Sequence, residues 1–382
     1  MTTAAELPLD GIRVVELGTM ITAPLAASIL AEMGAEVIKV ERPEGDPFRA
    51  FMGGSYAPHF RAYNKNKASI TLDLSTEPDR ELLRNLLKTA DVLVENFRPG
   101  VMDRLGFPAE KLARDYPRLI YCSITGFGPD GPYRNRPAYD TVALALSGIA
   151  HLKIDPEDPG ISGPTTSDNV SGMAAAQAIL AALVGRDRGK PNRRIEVNML
   201  EASIAFTPDS FAMADDGHDV DRLTRVRASQ SYAMTSSDGK MLVVHLSSAV
   251  KFWDALLAAV DDMALSGNPR FATRESRYKN YPEIQQVLAG VFRTRTLAEW
   301  IKRLAAHDVP FSPALSTKDV PENEQVRHLG IFGHETAGDG KSYRYINAPV
   351  RFDGQRPPLR RPPPLLGEDN QGFWANRKTE RS

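Results

Sequence analysis

The stretch IRVVELGTMITAPLAASILAEMGAEVIKVE, residues 12–41, decides the fold of this chain. It begins with the apolar run IRVVEL and ends with EVIKVE, and both runs are typical of buried strands. Between them, Thr22 is expected to cap a helix, Pro24 suits the first helical turn, and Gly34 closes the helix. The stretch therefore predicts a strand–helix–strand unit.

The same alternation of strands and helices continues along the chain. Such alternation predicts an α/β fold in which a Rossmann-like parallel sheet is covered by helices on both faces. Further strands are predicted at DVLVEN, LIYCSI and IEVNM, and further helices at residues 77–89, 109–116, 139–150 and 169–184.

A second, smaller domain is predicted after the first. Residues 1–210 form the large Rossmann-like domain, and the polar residues 211–227 are expected to be a linker. Residues 228–318 combine a hairpin around the Asp238-Gly239 turn with three amphipathic helices, which is typical of an α+β domain. The return segment, residues 319–382, contains the proline-rich stretch RPPLRRPPPLLGEDN, which predicts extended chain.

The composition excludes several classes of function. Of the 382 residues, 25% are charged and the formal net charge is -1, so no overall electrostatic field favours nucleic acid. The single cysteine, Cys122, excludes an internal disulfide and a multi-cysteine metal site. No secretory leader or membrane span is recognised, and the histidines lack metal-ligand spacing. We therefore expect a soluble, cytoplasmic protein without a metal, a membrane association or a nucleic-acid partner.

The segment GFGPDG, residues 126–131, matches the dinucleotide-binding pattern G-x-G-x-x-G. However, Pro129 and the following GPYRNRP cannot open a helix, and the turn LGTMITAP after the first strand lacks the glycine triplet. A turn-rich loop is the better interpretation, and NAD is disfavoured as a cofactor.

Three short cationic runs are candidates for binding an anionic ligand. Loops at the carboxyl edge of an open parallel sheet are where such folds bind ligands, and cations there suit a phosphorylated one. A solvated surface is the alternative interpretation. The runs contain Lys65 and Lys67, Arg98 and Arg104, and Arg134 and Arg136.

Asp168 begins a helix composed almost wholly of small and apolar residues, in GPTTSDNVSGMAAAQAILAAL. In the structural interpretation, Thr165 caps this helix and Asp168 gains about 0.3–1 kcal/mol from the helix dipole. In the functional interpretation, the alanines and Gly172 bury the helix, and an ionised carboxylate at its start can attack a carbonyl group. The residues alone leave both interpretations open.

Several segments together resemble one family, the class III coenzyme A transferases, which includes formyl-CoA transferase and carnitine CoA-transferases and is related to α-methylacyl-CoA racemase. The resemblance covers most of the chain. It rests on segments in the family's order: PLDGIRVVELG, LAEMGAEVIKVERPEGD, NKNKASITLDL, ADVLVENFRPGVMDRLGF, LIYCSITGFGPDGPY, AYDTVALALSG, SDNVSGMAAAQAILAAL, IEVNMLEA and PLLGEDN.

The resemblance implies that Asp168 is the catalytic aspartate of a CoA transferase. Its carboxylate would attack an acyl-CoA thioester, pass through a mixed anhydride and an aspartyl-CoA thioester, and hand CoA to a second carboxylic acid. Coenzyme A would enter as the acyl-CoA substrate, with no metal and no NAD. The family's CoA site maps onto Arg42, Leu72, Asp73, Leu74, Ser75, Asn96, Phe97, Arg98, Arg104, Arg136 and Tyr139.

Departures from the family pattern limit what the resemblance implies. Ser75 stands where formyl-CoA transferase has a lysine, and the loop GGGGQ is absent, so formate specificity is unsupported. Tyr139 stands where the racemases carry a histidine, and a phenol with a pKa of about 10 is a poor base, so transfer is favoured over racemisation. Asp140 is a possible catalytic helper or a helix cap. The resemblance further implies an interlocked homodimer whose large domain is completed by residues 330–382.

Overall fold

The computed structural model describes residues 6–190, 193–248, 250–336 and 340–373. The last part of the predicted return segment, residues 374–382, lies outside the described residues. Contacts divide the chain into two compact units. The first comprises the chain up to Ala150, Ile161–Pro208 and the chain from Leu329 onward, and the second comprises His151–Gly160 and Asp209–His328.

The first unit is built around a six-stranded parallel sheet in the order β3-β2-β1-β4-β5-β6. This is the strand order of doubly wound dinucleotide-binding folds, so the predicted Rossmann-like sheet is confirmed. The strands are β1 (Arg13–Glu16), β2 (Glu36–Glu41), β3 (Lys67–Thr71), β4 (Val92–Glu95), β5 (Ile120–Thr125) and β6 (Arg194–Asn198).

Helices cover both faces of this sheet. Because strand side chains alternate, Val14 packs in a core with α1 and α7, whereas Val15 packs on the other face with α3 and α5. The helices of this unit are α1 (Thr22–Glu32), α2 (Pro58–Tyr63), α3 (Glu77–Leu87), α4 (Val101–Arg104), α5 (Ala109–Asp115), α6 (Asp140–Leu146), α7 (Thr166–Asp187) and α8 (Met199–Ala205).

The second unit contains an antiparallel three-stranded sheet packed against helices, as expected for an α+β domain. The predicted hairpin forms two strands of this sheet, and two helices overlap the segment that was predicted to be a linker. The first of these buries no residue, so it has no apolar period to detect. The elements are α9 (Pro208–Asp215), α10 (Thr224–Ser229), β7 (Ser231–Thr235), β8 (Met241–His245), α11 (Lys251–Val260), α12 (Met263–Ser266), α13 (Arg274–Lys279), α14 (Tyr281–Phe292), α15 (Leu297–Ala306), β9 (Phe311–Pro313) and α16 (Glu324–Leu329).

The C-terminal segment packs on the first unit. It forms the antiparallel pair β10 (Phe332–Thr336) and β11 (Ser342–Ile346), and then follows the edge strand β3. There Ser69 donates its N–H to Asp369 Oδ2 at 2.8 Å, and Thr71 donates its N–H to Asn370 Oδ1 at 2.9 Å. These bonds satisfy backbone groups that an open sheet edge would leave unpaired.

Neither threonine that was predicted to cap a helix makes a capping hydrogen bond, although Thr165 does occupy the N-cap position of α7. The N-cap of α1 is Ile21, and Thr22 is already helical, with its hydroxyl accepting a hydrogen bond from Asn96 Nδ2 at 2.9 Å. Thr165 is the N-cap of α7, but its hydroxyl accepts from Asn169 Nδ2 at 3.0 Å and makes no capping bond. In both cases a side chain outside the capping pattern competes for the hydroxyl.

Gly172 allows α1 and α7 to pack closely. A Cβ at this position would lie 2.8 Å from Thr22 O and 3.0 Å from Leu25 Cβ. The nearest of these atoms belongs to the backbone, which cannot move away as a flexible side chain can.

Gly172→Ala is therefore expected to lower the free energy of unfolding by about 1–3 kcal/mol, because α1 must shift. Gly185→Ala, in the same helix, meets nothing closer than Lys190 Cβ at 3.7 Å. This control is expected to raise the free energy of unfolding by about 0.4–1 kcal/mol. Urea denaturation followed by circular dichroism checks both values, and equal effects in the two variants would argue against close packing at Gly172.

Candidate functional site

The loops after β1, β2, β3, β4 and β5 all leave the same edge of the sheet, because the strands are parallel. The strand order changes direction between β1 and β4, the position where open α/β sheets bind ligands. Here Asn96 Oδ1 accepts from Thr19 N at 2.9 Å, and Asn96 Nδ2 donates to Thr19 O at 2.8 Å. Asn96, which was predicted to bind CoA, thus uses its side chain to hold the loop between β1 and α1.

Four buried charged side chains lie beneath this loop. Lys39 Nζ is 2.8 Å from Glu16 Oε1 and 3.0 Å from Asp46 Oδ2, and Lys67 Nζ is 2.7 Å from Glu16 Oε2. The last contact is ionic but is not aligned as a hydrogen bond. Burial alone would lower the pKa of Lys39, but the carboxylates of Glu16 and Asp46 outweigh burial and raise it. The cluster is therefore charge-balanced, with two acids and two bases.

The buried cluster fixes the backbone of the loop. Lys39 Nζ donates to Gly18 O at 2.8 Å, and Asp46 Oδ2 accepts from Met20 N at 3.1 Å. Met20 has a φ of 63°, a left-handed conformation that few side-chain-bearing residues adopt. The cluster thus holds a strained turn directly before α1.

Neither interpretation of Lys65 and Lys67 holds, because both side chains are buried and paired within the chain. Lys67 begins β3 and is buried in the ion cluster, and Lys65 is paired with Glu32 at 2.5 Å. Both ammonium groups are paired within the chain. Lys65 precedes β3 and Lys67 is its first residue, so neither lies on the loop that follows this strand.

Asp168 lies in the first turn of α7, at the carboxyl edge of the sheet. Its neighbour Ser167 donates its hydroxyl to Met199 O at 3.4 Å, directly after β6, which places the start of α7 at that edge. Burial, and next the charge of Asp140, raise the pKa of Asp168 to about 6. The dipole of α7 acts in the opposite direction, because it favours the anion. The carboxylate is therefore mostly ionised at neutral pH and poorly solvated.

Asp140 is the first residue of α6 and is buried. Its Oδ1 accepts a hydrogen bond from Asp168 N at 3.2 Å. This N–H belongs to the first turn of α7 and has no acceptor within the helix. Asp140 therefore caps α7 from a neighbouring helix, and its charge acts on the Asp168 carboxylate.

The predicted CoA residues after β2 and β3 lie at the same edge. Arg42 directly follows β2, is exposed, and donates from Nε to Gly45 O at 3.1 Å. The segment Leu72 to Ser75 forms the turn between β3 and α3, with Leu72 buried and Leu74 packed against the core beneath it. Ser75 donates both its hydroxyl and its N–H to Asp73 Oδ1, which lowers the pKa of Asp73.

The segment after β4 is anchored by a buried carboxyl group that sequence reasoning missed. Phe97 N donates to Glu95 Oε2 at 2.6 Å, and Tyr121 Oη donates to Glu95 Oε1 at 2.8 Å. Burial raises the pKa of Glu95. Arg98 follows in an exposed position. All four residues of β4 are buried, and only the position of Glu95 in this strand hints at its burial, because an acid at a strand end is usually assumed to be solvated.

The remaining predicted residues lie after β4 and β5. Arg104 ends α4 and is exposed, and Arg136 lies with its guanidinium 3.7 Å from the centre of the Tyr133 ring. Tyr139 is the N-cap of α6 and is 61% exposed. This exposed phenol is next to the buried Asp140 in sequence and can contact a ligand.

An apolar cavity of about 670 Å³ lies elsewhere, on the outer face of α1 and α7. Asn169 and Met173 line it, whereas Asp168 and Asp140 do not. Among the described residues, no group of three or more His, Cys, Asp or Glu could hold a metal ion. Within the same residues no helix is long and apolar enough to cross a membrane.

Comparisons with known proteins show the family of this chain. A sequence model of the family described as CoA-transferase family III matches residues 9–370. Acetyl-CoA:oxalate CoA-transferase of Acetobacter aceti is 32% identical over 93% of this chain and 92% of its own length. Succinyl-CoA:glutarate CoA-transferase of Mus musculus is 31% identical over 94% of this chain and 84% of its own length. The crystal structure of a CAIB/BAIF family protein from Brucella suis is 30% identical, covers 97% of this chain and 99% of its own, and superimposes with a TM-score of 0.85.

Proposed function

The chain belongs to CoA-transferase family III, and from this premise we propose that it exchanges CoA between an acyl-CoA thioester and a free carboxylic acid through a covalent intermediate on Asp168. Membership of the family implies an enzyme that uses a CoA thioester as substrate. One observation supports Asp168 as the nucleophile: its carboxylate is partly desolvated and lies beside Asp140 at the carboxyl edge of the sheet.

The proposed reaction needs no proton source, because each step exchanges one anion for another. The Asp168 carboxylate attacks the thioester carbonyl, the C–S bond breaks, and a mixed anhydride and CoA thiolate form. The thiolate attacks the Asp168 acyl carbon, which releases the first acid and leaves an aspartyl-CoA thioester. The second acid repeats the two steps in reverse and leaves as its CoA thioester, while Asp168 returns as a carboxylate.

Burial of Asp168 suits this chemistry. A poorly solvated carboxylate loses little hydration when it attacks, and exclusion of water protects the anhydride from hydrolysis. The N–H groups in the first turn of α7 other than that of Asp168 have no acceptor within the helix and can donate to the developing oxyanion. Asp140 holds the α7 amide of Asp168 and does not touch the substrate in this scheme, so we assign it a positioning role.

We propose that CoA itself lies along the loops after β2, β3, β4 and β5. The segment Asn96 to Arg98 is held by the Glu95 anchor, and the exposed Arg42, Arg98, Arg104 and Arg136 suit the phosphate groups of CoA. The acceptor class is a carboxylic acid, in line with the oxalate and glutarate in the names of two relatives.

An exchange assay tests the proposed function. The purified chain is incubated with acetyl-, succinyl- or oxalyl-CoA and a panel of mono- and dicarboxylic acids, and the CoA thioesters are followed by mass spectrometry. At least one pair is expected to give the new thioester without net hydrolysis. If instead solvent deuterium enters the α-carbon of an acyl-CoA without any acceptor acid, the alternative function, an acyl-CoA racemase, replaces this one.

Removing the charge of Asp140 is expected to change the pH dependence of kcat/KM. The reaction needs ionised Asp168, whose pKa is about 6, so kcat/KM is expected to fall as the pH drops below that value. Asp140→Asn keeps the oxygen that accepts from Asp168 N but removes the charge. Its acid limb is therefore expected at lower pH, between the ordinary aspartate pKa of 3.8 and the parent value. A kcat/KM profile across the acid range measures the shift, and an unmoved acid limb would rule out this electrostatic link.

We also propose that the enzyme is a homodimer. The mutually packed helices α6, α7 and α8 expose several large apolar side chains, an arrangement typical of surfaces that associate. Sedimentation of the purified chain is expected to give a dimer, and an active monomer would refute this point. The exposed side chains are Val142, Leu146, Met173, Val184, Ile204 and, directly after α8, Phe206.

A further inference from the structure

Two guanidinium groups meet over Gly100. Strands β4 and β5 are neighbours, so the loops that follow them leave the sheet next to each other. A Cβ placed on Gly100 would lie 3.4 Å from Arg104 Nη1 and 3.9 Å from Arg134 Nη2. The two nitrogens are therefore no further apart than the sum of these distances.

Neither guanidinium has a carboxylate or carbonyl partner within the part of the chain that the structure describes. Other arginines nearby do have such partners; Arg84, for example, lies 2.7 Å from Glu77 and 2.8 Å from Glu81. Two like charges at short distance repel each other, and an anion between them converts the repulsion into attraction. The planar fork of each arginine matches the oxygens of a phosphate group.

Gly100 keeps the space between the two groups open. It has a φ of 81°, in the left-handed region that favours glycine, and a side chain here would enter the gap in front of Arg104. The position thus needs glycine both for its backbone conformation and for the room beside the arginines.

We propose that Arg134 and Arg104 together bind one phosphate group of coenzyme A. This inference rests on the proposed function, and it adds Arg134, to which the family resemblance assigns no role. Arg136 is a separate contact, because its guanidinium stacks on Tyr133. The bound phosphate is either the 3′-phosphate or one of the two in the pyrophosphate, and the ligand series below separates these sources.

Isothermal titration of CoA, dephospho-CoA and 4′-phosphopantetheine tests the pair. Arg134→Gln is expected to weaken CoA binding by about tenfold or more, and to raise KM for acyl-CoA without changing kcat, because phosphate binding is equal in the ground and transition states. Arg134→Lys, which keeps the charge but not the fork, is expected to bind with intermediate affinity. With a ligand that lacks the bound phosphate, Arg134→Gln and the parent should have the same affinity.

Arg114→Gln serves as the matched control, since Arg114 is an exposed arginine on α5 that pairs with its neighbour Asp115. It should bind all three ligands like the parent. If Arg134→Gln also does so while the parent binds and exchanges CoA, the phosphate site is refuted and the proposed function stands. If the parent neither binds CoA nor exchanges it, the proposed function itself fails. If circular dichroism shows that Arg134→Gln misfolds, the affinities of Arg134→Lys for the three ligands decide instead. An Arg134→Lys variant that binds CoA as tightly as the parent would overturn the proposal.

Discussion

Replacing Asp168 by alanine or asparagine is expected to lower kcat for CoA exchange by at least about a thousand-fold, because the group that carries the acyl moiety and then CoA is removed. Affinity for CoA is expected to be unchanged, since the scheme assigns no phosphate or pantetheine contact to Asp168. Single-turnover and steady-state assays with a competent donor and acceptor measure the loss.

The same helix offers a matched control. Asp187 ends α7, and its side chain is 75% exposed. Asp187→Asn repeats the chemical change at the far end of the helix and is expected to keep the parental kcat. Comparable losses in both variants, or an active Asp168→Ala enzyme, would contradict the nucleophilic role.

Asp168→Asn is also expected to stabilise the fold at neutral pH. The folded-state pKa of about 6 lies above the ordinary 3.8, so folding takes up a proton between these values and the ionised carboxylate costs free energy above them. Removing the charge should raise the free energy of unfolding by about 1–3 kcal/mol at pH 7, and by much less below the ordinary pKa. If Asp168 only capped the helix, Asp168→Asn would give no gain, because asparagine caps a helix about as well as aspartate. Loss of the charge would then cost about 0.3–1 kcal/mol of helix-dipole stabilisation. Urea denaturation at two pH values distinguishes these signs.

Lys39→Met is expected to cause the largest loss of stability. It leaves the carboxylates of Glu16 and Asp46 buried with only Lys67 as a counter-charge, and breaking a buried ion cluster in this way costs about 3–5 kcal/mol. It also removes the donor to Gly18 O, so the turn before α1 loses a support. We expect activity to fall together with stability, because this turn lies at the switch point of the sheet.

The measurement must report on the first unit. Trp253 and Trp300 belong to the second unit, so their fluorescence follows its unfolding. Hydrogen–deuterium exchange of peptides from β1 to β4 is the suitable readout, and these peptides should exchange much faster in Lys39→Met. Lys279→Met removes the exposed partner of Glu275 and should leave exchange unchanged. Unchanged hydrogen–deuterium exchange in Lys39→Met would show that the buried cluster contributes nothing to the stability of the first unit.

The parallel sheet could be predicted from the sequence because β1, β2, β4 and β5 are apolar runs separated by helical periods. The edge strand β3 could not, since it begins at Lys67, a charged residue within the polar run NKNKAS. Only the tertiary structure shows that Lys67 is buried against Glu16. A charge that is neutralised by a partner distant in sequence carries no local signal of burial.

The candidate site, too, could be predicted from the sequence only in part. Asp168 could be identified from the resemblance, and its helix from the run of alanines. Its coupling to Asp140 depends on how α6 meets α7, and the use of Asn96 as a clamp on Thr19 depends on the adjacency of β1 and β4. Arg134 and Arg104 are thirty residues apart in sequence, and their meeting over Gly100 follows only from the pairing of β4 with β5.

Covalent trapping on Asp168 tests the central claim most directly. The enzyme is incubated with an acyl-CoA that supports exchange, treated with borohydride or hydroxylamine, digested, and examined by peptide mass spectrometry. The account predicts that the peptide containing Asp168 carries the reduced alcohol or the hydroxamate, and that Asp168→Asn carries neither. An enzyme that exchanges CoA at full rate while this peptide stays unmodified, or that is modified at another carboxylate, would contradict it.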